Sequence, residues 1–152
     1  IVFCRRRGID LWLFSDRVAC VAPIGLFFGR LANFINGELF GRVTDVSWAV
    51  VFHRGGPDPR HPSQIYEALG EGVLLFAVLM WLAQSEPLRR RPGLLTGVFL
   101  AGYGGVRTVV ELFRQPDAHI GFLSFGSTTG QWLSVPLILA GLFLIFRAKP
   151  GK

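Results

Sequence analysis

The sequence predicts an all-α, polytopic integral membrane helix bundle with about four transmembrane helices, and three observations carry that prediction. Of 152 residues, 51% are apolar and only 17% charged, with a mean hydropathy of +0.44, which is apolar for a water-soluble domain. Long apolar stretches recur, and the last, Ile120 to Phe146, carries no charge at all and exceeds the roughly 20 residues that cross a bilayer. Basic residues fall in blocks beside these stretches: Arg5 to Arg7, Arg89 to Arg91, and Arg147 with Lys149 and Lys152. An intrinsically disordered chain is excluded by this composition, and two cysteines cannot supply a disulfide framework. Cys4 and Cys20 read as unpaired, buried small side chains. The net charge of +6 would suit nucleic acid in a soluble protein, but blocks beside apolar stretches read as membrane loops, so no nucleic-acid partner is expected.

Taken in order, Ile1 to Cys4 reads as the tail of a preceding span ending at Arg5. The chain is therefore expected to be one transmembrane domain over residues 1–152, the C-terminal part of a larger protein whose first spans are missing. The first span runs from Val18 past Arg30 to about Phe40. Asp16 and Arg17 interrupt the apolar region that a signal peptide would need. The second runs from Gln64 to Ala83, after an exposed Gly/Pro-rich loop, Arg54 to Pro62, whose last residue suits the first turn of a helix. The third runs from Gly93 to about Phe113, and the fourth is Ile120 to Phe146, with a kink expected at Pro136. With the N-terminal arginines inside, the inner positions hold nine Lys or Arg. The outer loops hold four, Arg42, Arg54, Arg60 and Arg114, and that bias fixes the expected orientation.

Polar residues inside spans are expensive in lipid and therefore informative. Tyr103, Arg107, Glu111 and Arg114 stand at i, i+4, i+8 and i+11, which at about 100° per residue gathers them into a stripe roughly 80° wide. Arg107 can pair with Glu111, and Glu111 with Arg114. Small residues Gly93, Gly97, Ala101 and Gly105 recur every four positions, a pattern that lets a neighbouring helix approach. In the first span Arg30, Asn33 and Gly37 share a face, with Glu38 and Gly41 just beyond; in the second, Gln64, Glu67 and Glu71 do the same. His61 sits at the membrane surface, where a structural hydrogen-bonded role is the commoner one. The histidines His53, His61 and His119 lack metal-ligand spacing, so no metal is expected. Ser124, Ser127, Thr128, Thr129 and Gln131 either coat an entrance or make a turn.

These groups all fall toward the outer half of the spans and can converge. Arginines with carboxylates in reach suit an anion at lipid-headgroup level, because the guanidinium fork matches phosphate. A hydrolase elbow, a Cys-His pair and a P-loop are absent, so any nucleophile is expected to come from a substrate.

The run Gly29-Arg30-Leu31-Ala32-Asn33-Phe34-Ile35-Asn36-Gly37-Glu38-Leu39-Phe40-Gly41-Arg42 resembles the signature of the bacterial prolipoprotein diacylglyceryl transferases. His61 to Glu67 (HPSQIYE), the series from Tyr103-Gly104 through Arg107, Glu111 and Arg114 to Pro116-Asp117, and Gly130-Gln131 resemble the same family, in order. The resemblance implies an enzyme of the bacterial inner membrane with its site toward the outer leaflet. Such an enzyme moves the diacylglyceryl group of phosphatidylglycerol to the lipobox cysteine thiol in the signal peptide of a prolipoprotein, forming a thioether and releasing glycerol phosphate. It implies that Arg30 and Arg107 hold the headgroup, that Asn33, Glu38 and Gly41 are functional signature positions, and that Tyr103, Glu111 and Arg114 form the family's polar seam, with His61 and Glu67 in its second motif. The candidate catalytic residues are then Arg107, Tyr103 and Glu111. The candidate headgroup residues are Arg30, Asn33, Glu38, Gly41, His61, Glu67 and Arg114, and no cofactor is expected.

Two departures stand out. Ala32 replaces a usual Gly, and the family's upstream His-Gly-Gly segment has no counterpart before Arg30. A non-enzymatic phospholipid-binding or transport module built on the same Arg/Glu seam is the alternative.

Overall fold

The computed structural model describes residues 1–115 and 128–149. Helix α1 is Val2–Arg7 and α2 is Leu11–Ile35. The second span is a composite: α3 (Ser63–Glu67), a π-helical segment (Ala68–Leu74) and α4 (Leu75–Gln84). A short α5 (Glu86–Arg89) leads to α6 (Leu94–Val110), and α7 is Thr129–Arg147. Three of these helical stretches, Leu11–Ile35, Ser63–Gln84 and Thr129–Arg147, are long and apolar enough to cross a membrane, and α6 is a shorter apolar helix.

Burial is distributed as a bilayer solvent demands. Phe28, Trp81, Phe143 and Phe146 are exposed, whereas Gln64, Glu67, Glu71 and Ser134 are fully buried. With no water to satisfy them, polar groups turn inward and apolar ones turn out to lipid. The apolar core is small, centred on Cys20, Leu75, Leu79 and Leu95. Both cysteines are buried free thiols, as expected.

Several boundaries differ from those read from sequence, each for a local reason. Helix α2 starts seven residues before Val18, because the Asp10 carboxylate accepts hydrogen bonds from the Trp12 and Leu13 amides at 2.9 Å and caps it there. It stops at Ile35 rather than Phe40. Gly37 adopts φ 64°, its N–H donates to Phe34 and that of Glu38 to Asn33, a Schellman termination that glycine permits. Extending α2 backwards carries Asp16 into the bundle. Its carboxylate accepts from the Gly93 and Thr96 amides at 2.8 Å and from the Thr96 hydroxyl at 2.7 Å, tying α2 to the first turn of α6. Pro62 precedes α3 rather than lying within it.

Close packing of α6 on α7 uses part of the expected stripe, Gly97 and Ala101, and adds Gly104. A Cβ on Gly97 would lie 2.8 Å from the Gly141 carbonyl, one on Gly141 would lie 2.5 Å from the Ala101 nitrogen, and one on Gly104 would lie 3.0 Å from the Ser134 carbonyl. Gly105 faces open space and Gly93 precedes the helix at φ 88°. Gly97, Ala101 and Gly104, spaced i, i+4, i+7, are thus the contact line. Helix α7 runs continuously through Pro136. Its start is a capping box in which the Thr128 hydroxyl accepts from the Gln131 amide and the Gln131 side chain accepts from the Thr128 amide, so these two residues make the turn. Residues Pro116 to Ser127, with His119, Ile120, Ser124 and Ser127, lie outside the described residues.

Candidate functional site

The loop between α2 and α3 closes one end of the bundle and sets the site's rim. The Gly41 amide donates to the His61 carbonyl, the His61 amide to the Arg42 carbonyl, and the Arg42 amide to the Phe113 carbonyl, at 2.9–3.0 Å. A Cβ at Gly41 would come within 2.6 Å of both His61 and Phe113, so only glycine lets the loop, the start of α3 and the end of α6 meet. Next to it Leu39 holds φ 57°, a left-handed conformation unfavourable for a side-chain-bearing residue. Buried side chains fix it there: Ser63 donates to the Leu39 carbonyl at 2.9 Å and Gln64 to the Glu38 carbonyl at 2.6 Å.

Behind this rim lies a network of six charged side chains from three spans. Glu67, fully buried, contacts three guanidinium groups: Arg30 Nε at 3.2 Å, Arg114 at 3.2 Å, and Arg107. Arg30 also donates to Glu71 at 3.0 Å, and Arg107 reaches Glu111 at 3.0 Å. Among the described residues three arginines are matched by three carboxylates, so this set is formally neutral and its buried charges are compensated. The turn chemistry of the second span brings its two acids together. Gly70 and Gly72 sit where a Cβ would lie 2.4 Å from Val106 and 2.7 Å from Phe27, and their smallness lets the π-helical segment nest between α2 and α6 while Glu67 and Glu71 both face Arg30.

In front of the network is a cavity of about 370 Å³. Arg30, Tyr103, Arg107 and Arg114 line it together with Leu39 and, from α7, Ser134. The carboxylates stand behind the guanidinium groups, away from the hollow. A guanidinium carries five N–H donors. Arg30 engages its Nε and one terminal nitrogen with Glu67 and Glu71 while its side chain also lines the cavity. On the far side Gly130 packs so closely that a Cβ would sit 2.6 Å from a Glu111 oxygen, giving the Gly130-Gln131 motif a physical role: α7 presses on the Glu111 carboxylate and holds it against Arg107.

The structure thus brings together seven residues on or behind one hollow: Arg30, Tyr103, Arg107 and Arg114 on its wall, Glu67 and Glu111 behind them, and Glu71. Glu71, on the polar face of the second span, joins the expected site residues through its pairing with Arg30. The remaining candidates stand elsewhere. Glu38 pairs with Arg54 at 2.5 Å on the exposed loop. Asn33 closes the end of α2 through its carbonyl, and Gly41 serves the close approach at the rim. His61 bonds Tyr66 through Nδ1 at 3.1 Å and packs on the Tyr66 and Phe113 rings. Tyr66 in turn accepts from the Trp48 indole at 2.7 Å, making a strut for the loop. Of the pairs expected on the third span, Arg107 with Glu111 forms, while Arg114 turns to Glu67.

A family model described as prolipoprotein diacylglyceryl transferase matches residues 1–147. The chain is similar to the phosphatidylglycerol–prolipoprotein diacylglyceryl transferase of Paramagnetospirillum magneticum, 60% identical over 146 residues, covering 95% of this chain and 54% of that protein. It is 57% identical to the protein of the same name from Rhodospirillum rubrum, over 100% of this chain and 56% of the relative, and 53% identical to that of Idiomarina loihiensis, over 97% and 54%. The chain spans about half the length of the curated relatives it matches.

Proposed function

The chain belongs to the prolipoprotein diacylglyceryl transferase family, and on that premise we propose that it takes part in diacylglyceryl transfer from phosphatidylglycerol to a prolipoprotein in the bacterial inner membrane. The observation that carries this reading is the convergence of Arg30 from the first span and Arg107 and Arg114 from the third on one hollow with Tyr103.

In the proposed step a lipobox cysteine sulfur bonds to the terminal glyceryl carbon of the diacylglyceryl group as the bond from that carbon to the phosphate oxygen breaks. Glycerol phosphate leaves with the electron pair, and the thiol proton passes to a base. The products are a thioether and glycerol phosphate. A thiol is only a few per cent ionised at neutral pH, so cations at the hollow favour the reactive thiolate. Charge then grows on the departing phosphate. A guanidinium aimed at that oxygen, Arg107 or Arg30, binds the transition state more strongly than the ground state. One well-placed donor of this kind contributes about 3–4 kcal/mol. Tyr103 and Glu111 orient that arginine and the headgroup, and Glu67 fixes the spacing of all three guanidinium groups. Asn33, Glu38, Gly41 and His61 shape the outer rim through which headgroup and signal peptide enter.

The test is turnover of the protein expressed from its complete reading frame, reconstituted with phosphatidylglycerol and a peptide carrying a lipobox cysteine. Arg107→Lys keeps the charge and loses the fork that bridges Glu67 and Glu111, and a drop of about a hundredfold or more in kcat is expected. Unchanged turnover removes Arg107 from the role. Headgroup binding without any thioether product would favour the non-enzymatic reading.

A further inference from the structure

The opposite end of the bundle holds a second and larger cavity, about 570 Å³, enclosed by the first turns of α2, the end of α4, α5 and the start of α6. Its walls are apolar, with Leu13, Cys20 and Leu95, and its mouth carries Arg17, Arg89 and Arg90. Arg17 and Arg30 lie thirteen residues apart on one helix, about 20 Å at 1.5 Å per residue. The two cavities are therefore separated by much of the roughly 30 Å hydrocarbon thickness, and no lining residue is shared.

The charges at this mouth are arranged unlike those at the other. At the first site each arginine is backed by buried carboxylates. Here no ion pair among the described residues holds Arg17 or Arg89, and Arg90 has only an exposed pairing with Glu86. Asp16 also borders the cavity, but both of its oxygens are engaged by Gly93 and Thr96 at the start of α6, where the positive helix end offsets its charge. Beside the mouth the Arg91 Nε is buried with no hydrogen-bond acceptor among the described residues. The mouth carries three cations against one pairing carboxylate, Glu86, while Asp16 is engaged by α6, so the described residues leave it net positive over an apolar hollow.

We propose that this cavity binds an anionic phospholipid of the leaflet opposite the first site, its phosphate on Arg17, Arg89 and Arg90 and an acyl chain against Leu13, Cys20 and Leu95. Basic pockets between helices at a membrane surface select anionic headgroups in this way, and the apolar walls favour a lipid over free phosphate. The lipid is held for its charge, and none of its bonds is broken.

The test uses the complete protein in phosphatidylcholine nanodiscs doped with a diazirine-tailed probe lipid, either phosphatidylserine or phosphatidylcholine. Phosphatidylserine is anionic without being the proposed donor, so the outcome is independent of diacylglyceryl transfer. After illumination and proteolysis, adducts are measured on peptides covering residues 11–20 and 83–95. Phosphatidylserine is expected to label them at least about fivefold more than phosphatidylcholine, roughly the factor one surface arginine supplies. The triple variant Arg17→Gln, Arg89→Gln, Arg90→Gln is expected to abolish that preference and the triple Lys variant to keep most of it. An unchanged melting temperature in the same nanodiscs shows that the Gln variant is folded; if it is not, single Arg89→Gln is expected to lower the preference by a smaller factor. Equal labelling by both probes overturns the proposal, as does a preference that survives the Gln substitutions. Displacement of the probe by inorganic phosphate alone assigns the site to the free ion instead, and crosslinks between this cavity and another stretch of the protein that exclude both probes assign it to the chain itself.

Discussion

Glu67→Gln tests the charged network most directly. Glu67 is fully buried and contacts Arg30, Arg107 and Arg114, so neutralising it leaves Glu71 and Glu111 facing three guanidinium groups and a net charge in the interior. Removing one partner of a buried pair costs about 3–5 kcal/mol, which for a domain of this size corresponds to about 6–20 °C in Tm. The two buried free thiols, Cys4 and Cys20, provide the readout: a thiol-reactive fluorogenic dye in detergent reports unfolding as they become accessible. The double variant Glu67→Gln, Arg114→Gln restores charge balance, and its loss is expected to fall short of the sum of the singles by at least about 1 kcal/mol. A Glu67→Gln shift under about 2 °C, or strict additivity in the double variant, would refute the view that the cluster is a coupled, desolvated unit.

Asp16→Ala removes three hydrogen bonds at the start of α6; a loss of about 2–3 kcal/mol is expected in the same thermal assay, with Asp16→Asn losing less. Gly141→Leu forces a side chain against the Gly97 carbonyl and Ala101 nitrogen, backbone atoms that cannot yield without separating α6 from α7, and should destabilise by about 1–3 kcal/mol. Gly130→Ala places a methyl group 2.6 Å from a Glu111 oxygen. It is expected to lower transfer activity by about tenfold with little change in Tm, and the shorter side chain of Glu111→Asp in the same molecule should restore part of the rate, an outcome a general packing defect would not give.

How far the sequence carries depends on the range of the interaction. Periodicity alone placed Tyr103, Arg107, Glu111 and Arg114 on one face, and the expense of charges in lipid predicted that they face inward. Both hold for Tyr103 and Arg107 within α6 and for Glu111 at its cap, because helix geometry and solvent exclusion act locally; Arg114, past the helix end, joins the cluster through the chain that follows. Helix ends were less legible: the Asp10 cap and the Gly37 termination shift α2 by several residues, and both depend on backbone hydrogen bonds that hydropathy does not see. Partner choice was least legible. The helical spacing pairs Arg114 with Glu111, but α6 ends at Val110 and Arg114, bridged to Gly41, reaches Glu67 instead; Glu71 enters the cluster only because Gly70 and Gly72 admit a π-helical segment between two packed spans. The α6–α7 contact line through Gly97, Ala101 and Gly104 likewise depends on where α7 lies, which the spacing of small residues along α6 does not specify.

A neutral cluster binding an anion looks contradictory, and geometry resolves it. Three guanidinium groups without counter-charges would repel one another and could not stay together in a low-dielectric interior. Glu67, Glu71 and Glu111 hold them in place from behind, and the hollow is lined by the arginines. A phosphate oxygen about 4 Å from a guanidinium gains about 4 kcal/mol at an effective dielectric of 20, while a carboxylate about 8 Å away opposes it with about 2 kcal/mol. Each layered pair therefore still attracts the anion. The same layering predicts different fates for changes at the two depths. Losing a carboxylate damages the fold first, because an unmatched cation remains buried. Losing a cavity-facing arginine damages anion binding as well as the fold. Binding of a non-reactive phosphatidylglycerol ether analogue should accordingly fall more for Arg30→Gln than for Glu71→Gln when both are measured at equal folded fraction, and the reverse order would mean that the carboxylates, not the arginines, meet the ligand.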